Sequence, residues 1–210
     1  CKRRGANGEA VGLGVSCFVE KTGLGPKDTV RVTIAPSGAV TVITGGASLG
    51  QGFETTMAQI CAEALGIDYA KITVIHGQTD LIADGIGAHA SRATVVTGGA
   101  THVAPEMVRA KALAIAAELL QTPADALTIV DGNIKRKDRD AGPSITLAEI
   151  AAKQGAQGLS CEGTFLTDHM TYPYGVHIAQ LRVDRETGEV KIERFLVAYD
   201  VGRAVNPMMI

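Results

Sequence analysis

An alternating apolar run that folds back on itself and then passes directly into a helix is the feature that most constrains this chain. Val30, Val32 and Ile34 alternate with polar residues, Pro36-Ser37-Gly38 turns the chain, and Val40 and Val42 return. That is the pattern of a β-hairpin. Gly45-Gly46-Ala47-Ser48 then leads into Gly50-Gln51-Gly52-Phe53-Glu54-Thr55-Thr56. Beyond it, Met57, Ile60, Cys61, Ala64 and Leu65 recur at helical spacing, so a one-faced helix is expected from about residue 54 to 65, capped by Gly66. A glycine-flanked turn at a helix start leaves backbone N–H groups unpaired at the positive end of the helix dipole, a natural anion seat. Gln51 adds an amide that both donates and accepts. The same spacing also fits a close-packed turn with no ligand.

The rest of the chain alternates short strands and helices irregularly. Residues 71–76 read as a strand. An irregular stretch, Asp84-Gly85-Ile86-Gly87-Ala88-His89-Ala90-Ser91-Arg92, leads into a small-residue helix expected from about residue 93 to 120. Pro105 should kink or restart that helix, since it deletes a backbone hydrogen bond and crowds the preceding turn. Asp131-Gly132 between two apolar segments signals a short hairpin. Thr146-Leu147-Ala148-Glu149 has the form of a capping box, opening a helix that Gly155 closes. Hairpin followed by helix thus occurs twice, a hint of an internal structural repeat. Residues 176–184 and 190–199 are strands joined by Arg185-Glu186-Thr187-Gly188, a turn suited to antiparallel pairing. This order is not regular βαβ alternation. The expected class is α+β, with hairpin–helix units and mixed, mainly antiparallel sheets, in two lobes of about residues 1–122 and 123–210.

Composition narrows the function. Charged residues make up 20% of the 210 residues, the net charge is −2, and aromatics are only 4% with no Trp. Neither a basic surface nor stacking platforms for bases are present, so nucleic acid is not an expected partner. No apolar stretch approaches the roughly 20 residues of a membrane-spanning helix, and no signal peptide is visible. Cys1, Cys17, Cys61 and Cys161 lack CxxC or regular spacing and sit among apolar or small residues. They read as reduced and mostly buried, not as a disulfide framework or a zinc site. The chain lacks an initiator Met and stops within an apolar run, which reads as a piece of a longer polypeptide.

No nucleophile–base set assembles from neighbouring signals. Ser91 lies near His89, but Gly-x-Ser-x-Gly is absent. The histidines His76, His89, His102, His169 and His177 are scattered, and no cluster suggests a protein-ligated metal. Asp80 and Asp84 flank a loop, where solvated carboxylates are common. Two anion-friendly loops remain: the Gln51 turn, and Ala90-Ser91-Arg92-Ala93-Thr94 at the mouth of the long helix. Two such openings suit a phosphorylated ligand rich in heteroatoms.

The residues resemble a known family. Arg4-Gly5, then the run from Gly12 to Pro26, then 36–42, 50–60 and 91–94, resemble in order the molybdenum hydroxylases. Val183-Asp184-Arg185-Glu186-Thr187-Gly188-Glu189-Val190 and Asp200-Val201-Gly202-Arg203-Ala204-Val205-Asn206-Pro207 continue the match. These are the large subunits of the xanthine dehydrogenase, aldehyde oxidase and aerobic carbon monoxide dehydrogenase group. The resemblance implies a molybdopterin cofactor carrying molybdenum, usually as the cytosine dinucleotide. Gly50, Gln51, Gly52, Phe53 and Glu54 would approach its dithiolene or oxo region, and Ser91, Arg92, Ala93 and Thr94 would cradle the pterin or its phosphates. It further implies water-derived hydroxylation of an aldehyde or N-heterocycle, or oxidation of carbon monoxide. Electrons would leave through [2Fe-2S] and FAD on partner subunits, in a cytoplasmic dimer of heterotrimers. The metal is held by pterin sulfurs, so no protein metal ligand is expected. The catalytic glutamate of such enzymes would lie beyond Ile210, so no catalytic residue is nominated here. Two departures stand out: Ala90 where most relatives have Gly, and Phe53 where many have His. The alternative reading is a non-catalytic scaffold or subunit-interaction fragment that does not retain cofactor by itself.

Overall fold

The computed structural model describes residues 3–4, 9–139 and 141–210; Cys1 and Gly5 lie outside that set. In chain order the elements are strands β1 (Arg3–Arg4), β2 (Ala10–Val19), β3 (Lys27–Ile34) and β4 (Val40–Thr44), then helix α1 (Phe53–Leu65) and strand β5 (Ile72–His76). A turn over Ala93–Thr97 leads into helix α2 (Gly98–Leu120). Strands β6 (Leu127–Val130), β7 (Asn133–Arg136) and β8 (Ile145–Thr146) precede helix α3 (Leu147–Lys153). Strands β9 (Leu159–Leu166), β10 (Tyr174–Val183) and β11 (Val190–Asp200) complete the order. The architecture is α+β with mixed, mainly antiparallel sheets, as the sequence pattern implies.

Two compact units emerge from the packing. One holds β1, β2, β10 and β11; the other runs from Gly23 to Met170 and takes back Val205–Ile210. In the first, the strands form one antiparallel sheet ordered β1-β2-β10-β11. The β10–β11 turn is closed by Asp184, whose carboxylate accepts from the backbone N–H of Glu186 and Thr187 at 2.8 and 2.9 Å. Phe18, His177, Phe195 and Tyr199 pack edge to face or tilted on one side, with centroids 5.3–5.6 Å apart. Leu13, Val15, Cys17 and Val19 share the other side by the two-residue period of a strand. That side is not covered by its own unit, so Cys17 is exposed, contrary to the expectation of mostly buried cysteines. Cys61 is buried and its thiol is pushed up to about 12 by desolvation; the three described cysteines are free.

In the second unit a sheet ordered β5-β4-β3-β9 is antiparallel except for the β4–β5 pair. Its core face supplies Val30, Val32, Ile34, Val42 and Leu159 to a cluster completed by α1, α2 and α3. Each such side chain contributes roughly 1.5–3 kcal/mol on full burial. Local signals behave as the sequence suggests. Gly66 ends α1 in the left-handed conformation, its N–H donating to Ala62 O at 2.9 Å. Asp131 and Gly132 both take positive φ, the requirement of the tight β6–β7 hairpin. Thr146 and Glu149 form the reciprocal capping box of α3. Ala112 and Ala116 of α2 share one core with Leu127, Ile129 and Ile134 beyond it. The packing therefore does not divide near residue 122.

Helix α2 runs on through Pro105, which does not restart it. Pro105 is buried with Ala104 where α2 crosses β9, and close packing offsets the one lost backbone bond. The crossing is tight: a Cβ added at Gly163 of β9 would stand 2.6 and 2.7 Å from the N and Cα of Ala104. Backbone cannot yield as a flexible side chain can. Gly163→Ala is therefore expected to destabilise the fold by about 1–3 kcal/mol in equilibrium denaturation, the usual cost of overpacking.

Candidate cofactor-binding site

The Gly50–Glu54 turn connects the end of β4 to α1, and its geometry is set by its own side chains. Gly50 and Gly52 take φ of 92° and 74°, and Gly52 occupies the N-cap position without any side-chain cap. The first intrahelical bond is Thr56 N–H to Gly52 O at 3.1 Å, so amides ahead of it have no helical partner. Gln51 is exposed, but its amide folds back on the turn. Its Oε1 accepts from Leu49 N–H at 2.5 Å and its Nε2 donates to Ala47 O at 3.2 Å. A Cβ at Gly50 would meet open space, whereas one at Gly52 would fall 1.4 Å from Met209 Cε, because the Val205–Ile210 segment lies over the turn. Asn206 anchors that segment by donating from Nδ2 to Gln59 Oε1 at 3.1 Å.

Phe53 and Glu54 divide their roles. The Phe53 ring is buried and meets His76 edge to face at 5.7 Å. The Glu54 carboxylate accepts from Ser48 Oγ at 2.9 Å and pairs with His76 Nε2 at 2.9 Å. Its own backbone N–H, first of all, then His76 and Ser48, hold its pKa below the usual carboxylate range. A carboxylate thus already meets the positive end of α1. Ser48 and His76 both turn to this carboxylate, so they do not form a nucleophile–base pair.

The second loop is built differently. Ala90 and Ser91 both take positive φ, 48° and 49°, and Ala93–Thr97 winds as a single π-helical turn before α2 begins. Arg92 is fully buried. Its Nε donates to Leu24 O at 3.1 Å, one terminal nitrogen to Lys27 O at 2.8 Å, and the other to Gly87 O at 3.2 Å and Asp28 Oδ2 at 3.1 Å. The guanidinium expected to hold a ligand's anion is therefore spent inside the fold, and the Arg92 backbone is engaged as well, its N–H donating to His89 O at 3.2 Å and its carbonyl accepting from Val96 N–H at 2.8 Å. Asp28 also accepts from the Thr97 hydroxyl and, at 3.0 Å, from Thr29 N–H. Sequence reasoning missed Asp28, although a signal existed: it lies on the same period-two face of β3 as Val30, Val32 and Ile34. A carboxylate on a core-facing register demands a buried partner. Ser91 and Thr94 are exposed and Ala93 is half-buried.

The two helix starts are neighbours. A Cβ at Gly46, just after β4, would meet the Phe53 ring at 2.5 Å and the Thr97 methyl at 3.2 Å. One at Gly98 would meet Ile60 at 3.2 Å, and the Thr101 hydroxyl lies 3.2 Å from Met57 Sδ. A separate cavity of about 490 Å³ lies by the β3–β4 turn and the start of α3. Its lining is aliphatic at Ile34, Val40, Ile67 and Leu147 and polar at Lys71, Asp131 and Asn133. Among the described residues no three His, Cys, Asp or Glu side chains converge as metal ligands. The donors at the two loops, backbone amides, a primary amide and hydroxyls, match a polar heterocycle with phosphates; the Arg92 guanidinium and Glu54 carboxylate do not take part in that match.

Two outcomes follow from this geometry. Arg92→Met leaves Asp28 buried without its counter-charge and should cost about 3–5 kcal/mol of stability in urea denaturation. Arg92→Lys recovers only part of it, since an ammonium cannot reach four acceptors as the planar fork does. Ala90→Gly, by contrast, should stabilise by about 0.5–1 kcal/mol, because relief of the left-handed alanine exceeds the entropy that glycine adds to the unfolded chain.

Comparison with known proteins agrees with this reading of the fold. Residues 2–210 match the family described as the molybdopterin cofactor-binding domain. The gamma subunit of the 6-hydroxypseudooxynicotine dehydrogenase complex of Paenarthrobacter nicotinovorans is 40% identical, over 99% of this chain and 27% of that protein. The carbon monoxide dehydrogenase large chain of Hydrogenophaga pseudoflava is 35% identical, over 96% of this chain and 26% of its own length. Among solved structures, quinoline 2-oxidoreductase of Pseudomonas putida 86 superposes with a TM-score of 0.81 at 32% identity, covering 97% of this chain and 28% of that one. Cu,Mo-carbon monoxide dehydrogenase does so with a TM-score of 0.81 at 33% identity, covering 96% and 27%. This chain spans about a quarter of the length of the proteins it matches. Its matched span, its relatives and its superposition agree that the chain belongs to the molybdopterin cofactor-binding domain family of molybdenum hydroxylase large subunits.

Proposed function

We propose that this chain is the cofactor-holding segment of an oxidoreductase large subunit, and that the adjacent starts of α1 and α2 grip one molybdopterin between them. The observation that carries this reading is their meeting at Gly46, which brings two amide-rich openings into one neighbourhood. The division of labour follows from charge. The α1 start already carries Glu54, so Gly50, Gln51, Gly52 and Phe53 offer neutral donors suited to the pterin and its dithiolene edge. The start at 93–97 and the first turn of α2 carry no acidic residue. Ser91, Ala93 and Thr94 therefore suit the phosphates, with Arg92 holding the turn from within. The cytosine dinucleotide form fits a seat of this kind, with two phosphates to place.

When bound, such a cofactor supplies two-electron oxidation of carbon with oxygen derived from water. This chain's own residues bind and orient it: Gln51 by its amide, Phe53 by walling the seat with an apolar ring, and the Glu54–His76–Ser48 cluster by fixing the turn. None of them is assigned as the general base. The substrate class is an aldehyde, an N-heterocycle or carbon monoxide. Partners of the whole protein are an iron–sulfur subunit with [2Fe-2S] and a flavin subunit with FAD, in a cytoplasmic dimer of heterotrimers. The names of the relatives support a multi-subunit enzyme, and no described helix is long and apolar enough to cross a membrane.

Full-length protein purified with its companion subunits should contain stoichiometric molybdenum and give the fluorescence of oxidised pterin, and acid hydrolysis should release cytidine monophosphate. Absence of both molybdenum and pterin would overturn the reading in favour of a scaffold, while pterin without the nucleotide would overturn only the dinucleotide form.

A further inference from the structure

Two conformations at the 91–94 loop are not stable by themselves. A left-handed Ala90-Ser91 pair is disfavoured for residues with a Cβ, and a lone π-helical turn has no local sequence preference to sustain it. Something outside the loop must pin both of its ends. Arg92 at one end and Thr97 at the other both donate to Asp28 Oδ2, the former at 3.1 Å. Asp28 itself is held on β3 and oriented by Thr29 N–H, which donates to its other oxygen at 3.0 Å. Through Arg92 the grip extends to the carbonyls of Leu24, Lys27 and Gly87.

We propose that Asp28 is a positioning residue for the cofactor seat: buried, with its carboxylate taken up by Arg92, Thr97 and Thr29, it clamps residues 92 and 97 so that the turn between them holds its amides in the binding geometry. This rests on the cofactor reading given above. A loop that is binding-competent for only a fraction of the time loses affinity by that fraction, so release of the clamp should empty the seat before it unfolds the domain.

The test uses the full-length large subunit with its companion subunits, read by molybdenum and pterin content per subunit and by thermal midpoint. Thr97→Val removes one of the two clamping bonds without changing shape, Asp28→Asn weakens both, and Thr97→Ser restores the hydroxyl. Ile150→Ala, in the core at α3, serves as a control of comparable loss in thermal midpoint. The expected result is a fall of about fivefold or more in cofactor content for Thr97→Val and Asp28→Asn, near-normal content for Thr97→Ser and Ile150→Ala. Should Asp28→Asn not accumulate folded, the Thr97 pair decides alone. Normal content in Thr97→Val, or a loss in Ile150→Ala that tracks its thermal midpoint, would overturn the positioning role while leaving the cofactor reading intact. A wild-type protein without pterin would overturn both.

Discussion

The buried pair of Asp28 and Arg92 is the constraint on which the site's geometry depends. Two full charges removed from water are tolerable only when each is surrounded by partners of the right sign and direction. Arg92 meets that condition with one carboxylate and three backbone carbonyls drawn from separate segments, and Asp28 meets it with a guanidinium, a hydroxyl and an amide. An arrangement with that many acceptors around one fork admits little variation. The loop before β3, the irregular stretch through Gly87 and the start of the long helix are thereby fixed to one another.

The two helix starts solve different problems with the same backbone chemistry. At α1 the unpaired amides face a carboxylate from their own first turn, and Gln51 satisfies neighbouring backbone with its side chain. That opening is locally self-consistent, and its glycines adopt conformations that residues with a Cβ would resist. At Ala93–Thr97 no acidic residue answers the dipole, and the conformation depends on a strand distant in sequence. One seat is made by local residues, the other by the tertiary fold.

That difference explains what could be read from the sequence. The β3–β4 and β6–β7 hairpins, the Gly66 cap and the Thr146 capping box were legible because each depends on residues within a few positions of each other. The Gly50–Glu54 turn was legible as a helix start for the same reason. The pairing of β3 with β9 and of β2 with β10 was not, since nothing local marks which strands will meet. Arg92 reads as a ligand group in the sequence because a cation among the hydroxyls of Ser91 and Thr94 at a helix start looks like an anion contact. Its carboxylate partner lies 64 residues away, and only the core-facing register of Asp28 hints that a buried cation is needed.

Pro105 follows the same logic from the opposite side. Locally it argues for a break, at a cost of about 3 kcal/mol in a helix interior. The helix nevertheless continues, since its small face must slide close under β9, where Gly163 leaves no Cβ and Ala104 sits directly beneath. Proline has no N–H to satisfy at a dry, backbone-close crossing, and its compact ring packs into the core without rotamer entropy to lose. The close approach also sets how far α2 can shift along the sheet, and hence where its first turn lies relative to Gly46 and α1. The position of the second helix start is thus governed at two places: by the charge clamp at its end and by the small-residue contact two turns further on.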